Sequence, residues 1–416
     1  LAQKAEELQM ARVVDLENRL VPAICWLERS GVGFDSDRWS ALVTTARTKA
    51  EKQSQGLSDI ATAELGTEGL WGRQGQPINW NSPAQVLRAL QGLGLDVDNT
   101  RQETLEAVKA QHPIVPPLLA HREAAKKLST YGDGWSKHIH PATNRVHADW
   151  RQIGAATGRM SCKSPNLQNL PREQAYRACF RPETGRVLIK ADYSQLELRL
   201  AAQIANDSPM KAAFQAGDDL HELTASQLKG KGEPHEIAPE DRQLAKAVNF
   251  GLIYGMGAER LADYARSSYG VKMDMTAAKS VRAAYFKAHP GIRSWHASQG
   301  RRQETRTVLG RRRTFDGNGY FTEKLNSPVQ GTGADGLKFA LIELWETRGD
   351  RDAYPVLVVH DEIVIEAPVE TAQEAKEWLQ TCMRNGMAQV LKDVPVVVEA
   401  RIQDSWDGTV QETNSV

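Results

Sequence analysis

Residues 187–192 read Val-Leu-Ile-Lys-Ala-Asp, and residues 356–361 read Val-Leu-Val-Val-His-Asp. Each is a short, mostly apolar run that ends in a carboxylate, which is typical of a buried strand whose end returns to solvent. If the two strands lie side by side in one sheet, they hold Asp192 and Asp361 at one edge. Mg²⁺ favours such an edge, because it keeps several waters and binds through one or two carboxylates and substrate phosphates. For either run alone, an aspartate that only caps a turn or a helix is the commoner explanation.

A third segment lies between them, from Arg242 to Gly255. Its residues Arg242, Lys246, Phe250 and Tyr254 recur every four positions, so on a helix they form one slanting stripe about 18 Å long. Two cations at one end suit a triphosphate, and two aromatic rings at the other suit a base and a sugar. By itself such spacing more often marks an amphipathic helix with solvated basic residues. The order of strand, helix and strand favours a nucleotide site.

Together these segments resemble the motifs of the family A DNA polymerases, the family of bacterial DNA polymerase I. Residues 192–199, Asp-Tyr-Ser-Gln-Leu-Glu-Leu-Arg, are similar to motif A, residues 242–255 to motif B and residues 360–362 to motif C. Further stretches match in the family's order at residues 157–161, 165–169 and 326–332. The resemblance implies an α+β fold, namely a right-hand polymerase with a helical thumb, helical fingers and a palm built on an antiparallel sheet.

The resemblance also implies how the chain is divided. Residues 1–27 are expected to form the base of the palm and thumb, and residues 28–130 the thumb. Residues 131–205 would form the first part of the palm with motif A, residues 206–321 the fingers with motif B, and residues 322–416 the second part of the palm with motif C. The palm is then discontinuous in sequence.

Local patterns predict several elements of this division. One helical face near the N-terminus collects four apolar residues: Leu16, Leu20, Ile24 and Leu27. Ser82 followed by Pro83 predicts a helix that begins at the proline. Residues 354–366 predict a strand, a tight turn and a second strand, with residues 360–362 in the turn.

The charge of the chain is balanced, with 52 Lys and Arg against 52 Asp and Glu among 416 residues and an isoelectric point near 7.3. Affinity for nucleic-acid phosphates must therefore come from local clusters. One cluster holds seven arginines against the single acid Glu304: Arg293, Arg301, Arg302, Arg306, Arg311, Arg312 and Arg313. We expect this cluster to line a template path, although such a run is usually just a solvated face.

Four cysteines without a CxxC pair, a polar N-terminus and the lack of an 18-residue apolar run predict a reduced, cytoplasmic or other intracellular location without a membrane span. Phage and organellar origins stay open, and a monomer is expected. The chain begins with Leu1 rather than Met, which fits a fragment or a processed product. No Asp-x-Glu strand precedes the expected thumb, so we expect no proofreading exonuclease in this chain.

The resemblance assigns the chemistry to a few residues. Asp192 and Asp361 would bridge two Mg²⁺ ions, for which Mn²⁺ could substitute, and the backbone carbonyl of Tyr193 would complete one of the metal sites. Glu362 would support them, either through water or by placing a metal. Lys246 is a candidate proton donor to pyrophosphate.

The resemblance also implies that seven residues bind the incoming nucleotide: Arg242, Lys246, Phe250, Tyr254, His221, Glu197 and Gln195. The two cations would contact the triphosphate, Phe250 would stack against the sugar and base, and Tyr254 would lie where the templating base enters. Glu197 would pack against C2′ and leave no room for a ribose hydroxyl. His221 matches a position near the β-phosphate, although a lone helical histidine is more often structural.

Five residues match positions that contact primer–template DNA: Arg159, Arg177, Asn326, Gln330 and His360. Most of them would reach minor-groove acceptors, which are common to all correct base pairs, so that they check shape without sequence preference. Arg177 has a weaker sequence context, and a surface ion pair is its alternative.

The function implied is a template-directed DNA polymerase, with primer–template DNA and dNTPs as partners. A two-metal nuclease also needs paired aspartates, but it leaves the helix stripe unexplained. An inactive polymerase-like DNA-binding module would need a lost carboxylate, whereas Asp192, Asp361, Lys246 and Arg242 are all present.

Overall fold

The structure of the chain, a computed structural model, describes residues 2–70, 78–229, 237–317 and 319–408. The chain divides into two compact units. Unit 1 comprises Leu1–Gly33, Val146–Pro171 and Arg181–Val416, and unit 2 comprises Phe34–Arg145 and Arg172–Phe180. Two units do not delimit three domains, so the boundaries of thumb, fingers and palm stay a prediction.

The helices are α1 (Ala2–Glu7), α2 (Ala11–Ser30), α3 (Ser36–Leu70), α4 (Pro83–Gly92), α5 (Gln102–Ala107), α6 (Val115–Tyr131), α7 (Gln174–Arg177), α8 (Leu196–Ile204), α9 (Ser208–Ala216), α10 (Leu220–Lys229), α11 (Pro239–Ile253), α12 (Ala258–Tyr269), α13 (Met275–Ala288), α14 (Pro290–Gln299), α15 (Phe321–Thr347) and α16 (Ala372–Met387). The strands are β1 (Val32–Gly33), β2 (Arg145–Val146), β3 (Asp149–Arg151), β4 (Ser161–Lys163), β5 (Arg186–Tyr193), β6 (Glu304–Arg306), β7 (Arg312–Thr314), β8 (Tyr354–Val359), β9 (Glu362–Pro368) and β10 (Val398–Gln403).

Unit 2 is mainly helical, and its helices α3 and α6 pack against each other. Its core consists of apolar side chains that include the fully buried Leu57, Leu90, Leu105 and Leu118. Helix α4 begins at Pro83, as predicted, and Ser82 occupies the N-cap position although its side chain makes no capping hydrogen bond. Proline suits this first position because the amide hydrogen that it lacks has no partner there in any helix.

Unit 1 is organised around the long helix α15. This helix is buried on most sides and packs against α16, α2 and α8. The predicted apolar face of α2 is confirmed, because its four residues are all buried: Leu16, Leu20, Ile24 and Leu27. No helix within the described ranges is both long enough and apolar enough to cross a membrane.

A four-stranded antiparallel sheet in unit 1 has the strand order β10-β5-β9-β8. The predicted side-by-side arrangement of the two carboxylate runs is wrong, because β9 lies between β5 and β8. Both strands pair antiparallel with β9, so they run in the same direction and end at the same edge of the sheet. Asp192, near the end of β5, and Asp361, just after β8, therefore reach one edge, as predicted.

A two-residue turn of His360 and Asp361 joins β8 to β9. Val359 pairs with Glu362 across this turn, so Glu362 is the first residue of β9. The prediction that Glu362 lies within the turn is wrong, because Glu362 already pairs with Val359 in the two-stranded ladder. His360 has a φ of 58°, the left-handed conformation that tight hairpin turns require.

Candidate active site

The carboxylates at the sheet edge form a row. Strand β5 places Asp192 opposite Glu362 of β9 on one side and opposite Glu399 of β10 on the other. Directly opposed residues of neighbouring strands project from the same face of a sheet. Asp361 lies in the adjoining turn. Tyr193, which follows Asp192, points to the opposite face, where its hydroxyl donates to the carbonyl of Met383 in α16 at 2.7 Å.

The two aspartates have raised pKa values. The pKa of Asp192 rises to about 7, chiefly because the surrounding protein desolvates its carboxylate, and the negative charges of Asp361 and Glu362 raise it further. The side chain nevertheless keeps some exposed surface. The pKa of Asp361 rises to about 6, chiefly through burial. Repulsion among carboxylates with few compensating cations is the chemistry of a donor set that suits divalent ions.

A cation at this edge would need more ligands than the protein supplies. Within the described part of the chain, no three His, Cys, Asp or Glu side chains converge to hold an ion by themselves. Waters, a backbone carbonyl or substrate oxygens would complete the coordination, as Mg²⁺ in particular prefers. The donor set therefore fits ions that bind together with a phosphate-bearing substrate.

Glu362 is held differently from the two aspartates. Its Oε2 lies 3.1 Å from the Lys190 ammonium, and its Oε1 accepts a hydrogen bond from Trp406 Nε1 at 2.8 Å. Lys190 also contacts the Asp407 carboxylate. Sequence reasoning did not find these partners. Lys190 stands two residues before Asp192 on the same strand, a signal that it shares the face of the sheet, whereas nothing in the sequence places Trp406 there.

The predicted helix stripe lies on α11, and Tyr254 follows the last helical residue as its C-cap. The Arg242 guanidinium pairs with Asp219 and lies 3.6 Å from Glu222. Lys246, one turn further along, has no ion pair among the described residues. Of the two predicted phosphate ligands, Arg242 is therefore already paired with acidic side chains, whereas Lys246 is not.

His221 is buried beside this helix. Its Nδ1 hydrogen-bonds to the Asn249 side chain at 3.0 Å, and its ring lies 5.6 Å from the Phe250 ring, centroid to centroid. Burial lowers the pKa of His221 to about 4, with further lowering by Arg242 and Lys246 against the opposing effect of Asp219. The histidine is therefore neutral near pH 7.

Glu197 lies at the centre of a chain of side chains. Arg159 donates to its Oε1 at 2.7 Å, and the Tyr254 hydroxyl donates to its Oε2. Gln330 is a further hydrogen-bonding partner of that hydroxyl. Burial and the adjacent Glu197 raise the pKa of Tyr254 well above its usual range. The structure thus brings together four predicted site residues: Arg159 from the loop between β3 and β4, Glu197 from α8, Tyr254 from the end of α11 and Gln330 from α15. The charge of Asp361 also acts on this group, because Glu197 and Arg159 both affect the pKa of Asp361.

Two further predicted residues have buried amide oxygens without a partner in the described structure. They are Oε1 of Gln195 and Oδ1 of Asn326. Gln195 also has a φ of 52° at the start of α8, a conformation that costs free energy outside glycine and that concentrates at functional sites. Asn326 and Gln330 are four residues apart on α15 and share one face.

Other predictions fare differently. Arg177 lies on α7 in unit 2, whereas the residues described above belong to unit 1. The predicted arginine-lined template path is wrong for Arg311, which is buried and pairs with Glu17 and Asp335. Three further arginines are engaged: Arg306 and Arg312 pair with Glu304, and Arg313 donates to Ser327. The acids that hold Arg311 lie far away in sequence, which is why the local window suggested one acid for seven cations.

Comparison with known proteins agrees with this geometry. The family model "DNA polymerase family A" matches residues 48–408. DNA polymerase I of Aquifex aeolicus (strain VF5) is 43% identical over 276 residues, which is 64% of this chain and 47% of the relative. The thermostable DNA polymerase I of Thermus filiformis is 37% identical over 419 residues, which is 94% of this chain and 48% of the relative. The chain thus spans about half the length of these curated relatives.

A solved structure is also similar, described as the POL domain of Pol1 from M. smegmatis in complex with DNA primer-template and dNTP. It superposes with a TM-score of 0.83 at 27% identity and covers 98% of this chain and 73% of its own. This likeness confirms the predicted fold class. From the family model and the curated relatives, the chain belongs to DNA polymerase family A.

Proposed function

We propose that this chain is a template-directed DNA polymerase, which adds deoxynucleoside monophosphates to a primer 3′-hydroxyl and releases pyrophosphate. One observation carries the proposal. The charge of Asp361 acts both on Asp192 at the sheet edge and on the Arg159–Glu197 pair, which the Tyr254 hydroxyl ties to the end of α11. The carboxylate pair is therefore close enough to the end of α11 for one of its members, Asp361, to interact through its charge with Glu197, which contacts Tyr254. The solved relative bound to DNA primer-template and dNTP supports the same partners.

The carboxylates would hold the catalytic ions. Asp192 and Asp361 would hold two Mg²⁺ ions, with Mn²⁺ able to substitute, together with the backbone carbonyl of Tyr193. Such ions would lower the pKa of the attacking 3′-hydroxyl and stabilise the charge of the leaving pyrophosphate. The raised pKa values of both aspartates support this assignment, because burial and neighbouring carboxylates outweigh the opposing charges of Lys190 and Arg159.

The triphosphate would lie along the first half of α11. Lys246, which has no ion pair among the described residues, offers an unshared ammonium and a proton for the leaving pyrophosphate. Arg242 can keep Asp219 on one side of its guanidinium and still present other N–H groups, because that group carries five donors. His221 would act as a neutral hydrogen-bonding group and not as a charge.

The sugar and base would lie along the second half of the helix. Phe250 would stack against them, Tyr254 would lie where the templating base enters, and Glu197 would exclude a 2′-hydroxyl. Arg159 and Tyr254 hold both oxygens of Glu197, so the gate is fixed in place and does not swing to make room. Gln195 would contribute its unpaired amide oxygen nearby.

Primer–template DNA would be read through its minor groove. Arg159, Asn326 and Gln330 would donate to the acceptors that all correct pairs share, with Arg177 and His360 as further contacts. Asn326 would donate through its amide nitrogen, because its amide oxygen can only accept. We also propose that residues 28–130 form the thumb, that residues 206–321 form the fingers, and that this chain has no proofreading exonuclease and acts as a monomer.

Primer extension on DNA and RNA templates, with and without Mg²⁺, tests the function. We expect Mg²⁺-dependent extension on a DNA template and no shortening of a mismatched primer. A primer that is shortened but never extended would indicate the alternative nuclease. Tight primer–template binding with neither reaction would indicate an inactive DNA-binding module.

A further inference from the structure

The carboxylate of Glu362 is clamped although it lies beside the proposed metal ligands. We infer that Lys190 and Trp406 keep the Glu362 carboxylate out of the metal-binding set, so that the cations bind to Asp192 and Asp361 without it. The inference rests on the proposed function, since it concerns how the same site loads its ions. Lys190, Trp406 and Asp407 are called the Glu362 clamp below.

Both oxygens of Glu362 have donors. Oε2 lies 3.1 Å from Lys190 Nζ, and Oε1 accepts from Trp406 Nε1 at 2.8 Å. The Glu362 side chain is 10% exposed and the Lys190 side chain 21%, so solvent screens this ion pair less than a surface pair. Lys190 is fixed from the other side by the Asp407 carboxylate. The clamp therefore joins β5, β9 and the segment after β10.

The neighbouring aspartates are not held in this way. Neither Asp192 nor Asp361 forms an ion pair among the residues that the structure describes. Asp192 instead lies between two acids, Glu362 and Glu399. The same edge of the sheet thus holds Glu362, which has an ion pair, beside Asp192 and Asp361, which have none among the described residues.

The number of unpaired carboxylates affects how tightly the site binds its cations. Two aspartates carry less negative charge than two divalent cations carry positive charge, so the ions depend on substrate phosphates to complete their coordination. A third free carboxylate would bind the cations more tightly before any nucleotide arrived, and it would weaken their attraction for the triphosphate. The clamp therefore makes loading of the ions depend on arrival of the nucleotide.

The test measures Mn²⁺ binding to the protein alone, without DNA or nucleotide, from the electron paramagnetic resonance signal of free Mn²⁺. Lys190→Met should raise the Mn²⁺ affinity about three- to tenfold, because a free carboxylate replaces a paired one. Glu362→Gln alone should leave the affinity within about twofold, since Glu362 is not a ligand in the wild-type chain. In the Lys190→Met/Glu362→Gln double variant the gain should disappear.

Two controls match the clamp residues. Lys211→Met also removes a part-buried lysine from an ion pair, with Asp393 at 2.6 Å and a side chain 17% exposed, and it should leave the Mn²⁺ affinity unchanged. Trp406→Phe frees one Glu362 oxygen without a change of charge and should raise the affinity about twofold. Trp378→Phe, which loses a 2.9 Å hydrogen bond to Thr347, should not.

The Mn²⁺ affinities of these variants support or overturn the inference about Glu362. An equal gain from Lys190→Met in the wild-type and Glu362→Gln backgrounds would show a general field effect and overturn the inference, as would no gain at all. If Lys190→Met does not fold, Trp406→Phe with Trp378→Phe carries the same test. Primer extension by the wild-type protein is measured separately, so a lack of polymerase activity would contradict the proposed function and leave the binding result to stand on its own.

Discussion

The Tyr254 hydroxyl donates a hydrogen bond to Oε2 of Glu197, while Arg159 donates to Oε1 at 2.7 Å. Tyr254 belongs to the end of α11 and Glu197 to the first turn of α8. The hydrogen bond therefore links the proposed nucleotide helix to the segment that follows Asp192. Because both of its oxygens accept hydrogen bonds, the Glu197 carboxylate is held in one position. Steric exclusion of a ribose 2′-hydroxyl requires a side chain that is fixed in this way.

Glu197→Ala should admit ribonucleotides, because it opens space at C2′ of the incoming sugar. The measurement is the ratio of kcat/KM for an rNTP to that for the matching dNTP. Tyr254→Phe keeps the carboxylate and removes only one of its two holders, so the ratio should rise less than in Glu197→Ala. An unchanged ratio in Glu197→Ala would show that another residue forms the gate.

Phe250→Tyr should relax discrimination against dideoxynucleotides. A dideoxynucleotide lacks the 3′-hydroxyl, and a tyrosine hydroxyl beside the sugar can supply a substitute hydrogen-bonding group. An unmet polar group in a closed site costs about 1–3 kcal/mol, or roughly tenfold to over a hundredfold in relative rate. The ddNTP/dNTP ratio of kcat/KM measures the effect, with Phe286→Tyr on α13 as the control. Ratios within twofold of the wild type would contradict the placement of Phe250 beside the sugar.

How far the sequence predicted the site depends on the range of each interaction. The stripe on α11 was predictable, because helical periodicity is local and Arg242 to Phe250 fall within α11. The order of the sheet strands was not, since β9 enters between β5 and β8 through pairings that a short apolar run does not encode. The partners of Glu197 were not predictable for the same reason, because nothing in motif A indicates that Arg159 and Tyr254 would reach its carboxylate.

Arg311→Ala should destabilise the fold strongly, whereas Arg306→Ala from the same arginine cluster should not. Arg311 is buried against Asp335, which has no exposed surface, so its removal leaves an uncompensated carboxylate. The expected cost is about 3–5 kcal/mol of the free energy of unfolding. Arg306 pairs with the half-exposed Glu304, and the expected cost there is at most about 1 kcal/mol. Urea unfolding of both variants makes the comparison, and equal costs would contradict it.

His221 should make the folded state sensitive to acid. Its pKa falls from an ordinary 6.5 to about 4 in the folded chain, first because of burial. Between these values the unfolded state binds the extra proton, so the contribution of His221 to stability is full above pH 6.5 and decreases as the pH falls towards 4. The loss is about 1.4 kcal/mol per pH unit within that window. His221→Gln should flatten the pH dependence of urea unfolding between pH 7 and 5. Parallel profiles for His221→Gln and the wild type would contradict the burial argument.

The central claim is that Asp192 and Asp361 serve the chemistry of nucleotide addition. The most direct measurement is single-turnover primer extension by Asp192→Asn and Asp361→Asn, with primer–template affinity measured in parallel. We predict rates lower by about a thousandfold or more, with primer–template affinity largely intact because the ions act on chemistry more than on duplex binding. Glu399→Gln removes the same charge from the opposing residue on β10 and should keep the rate within about fivefold of the wild type. Near-normal extension by either aspartate variant would contradict the account.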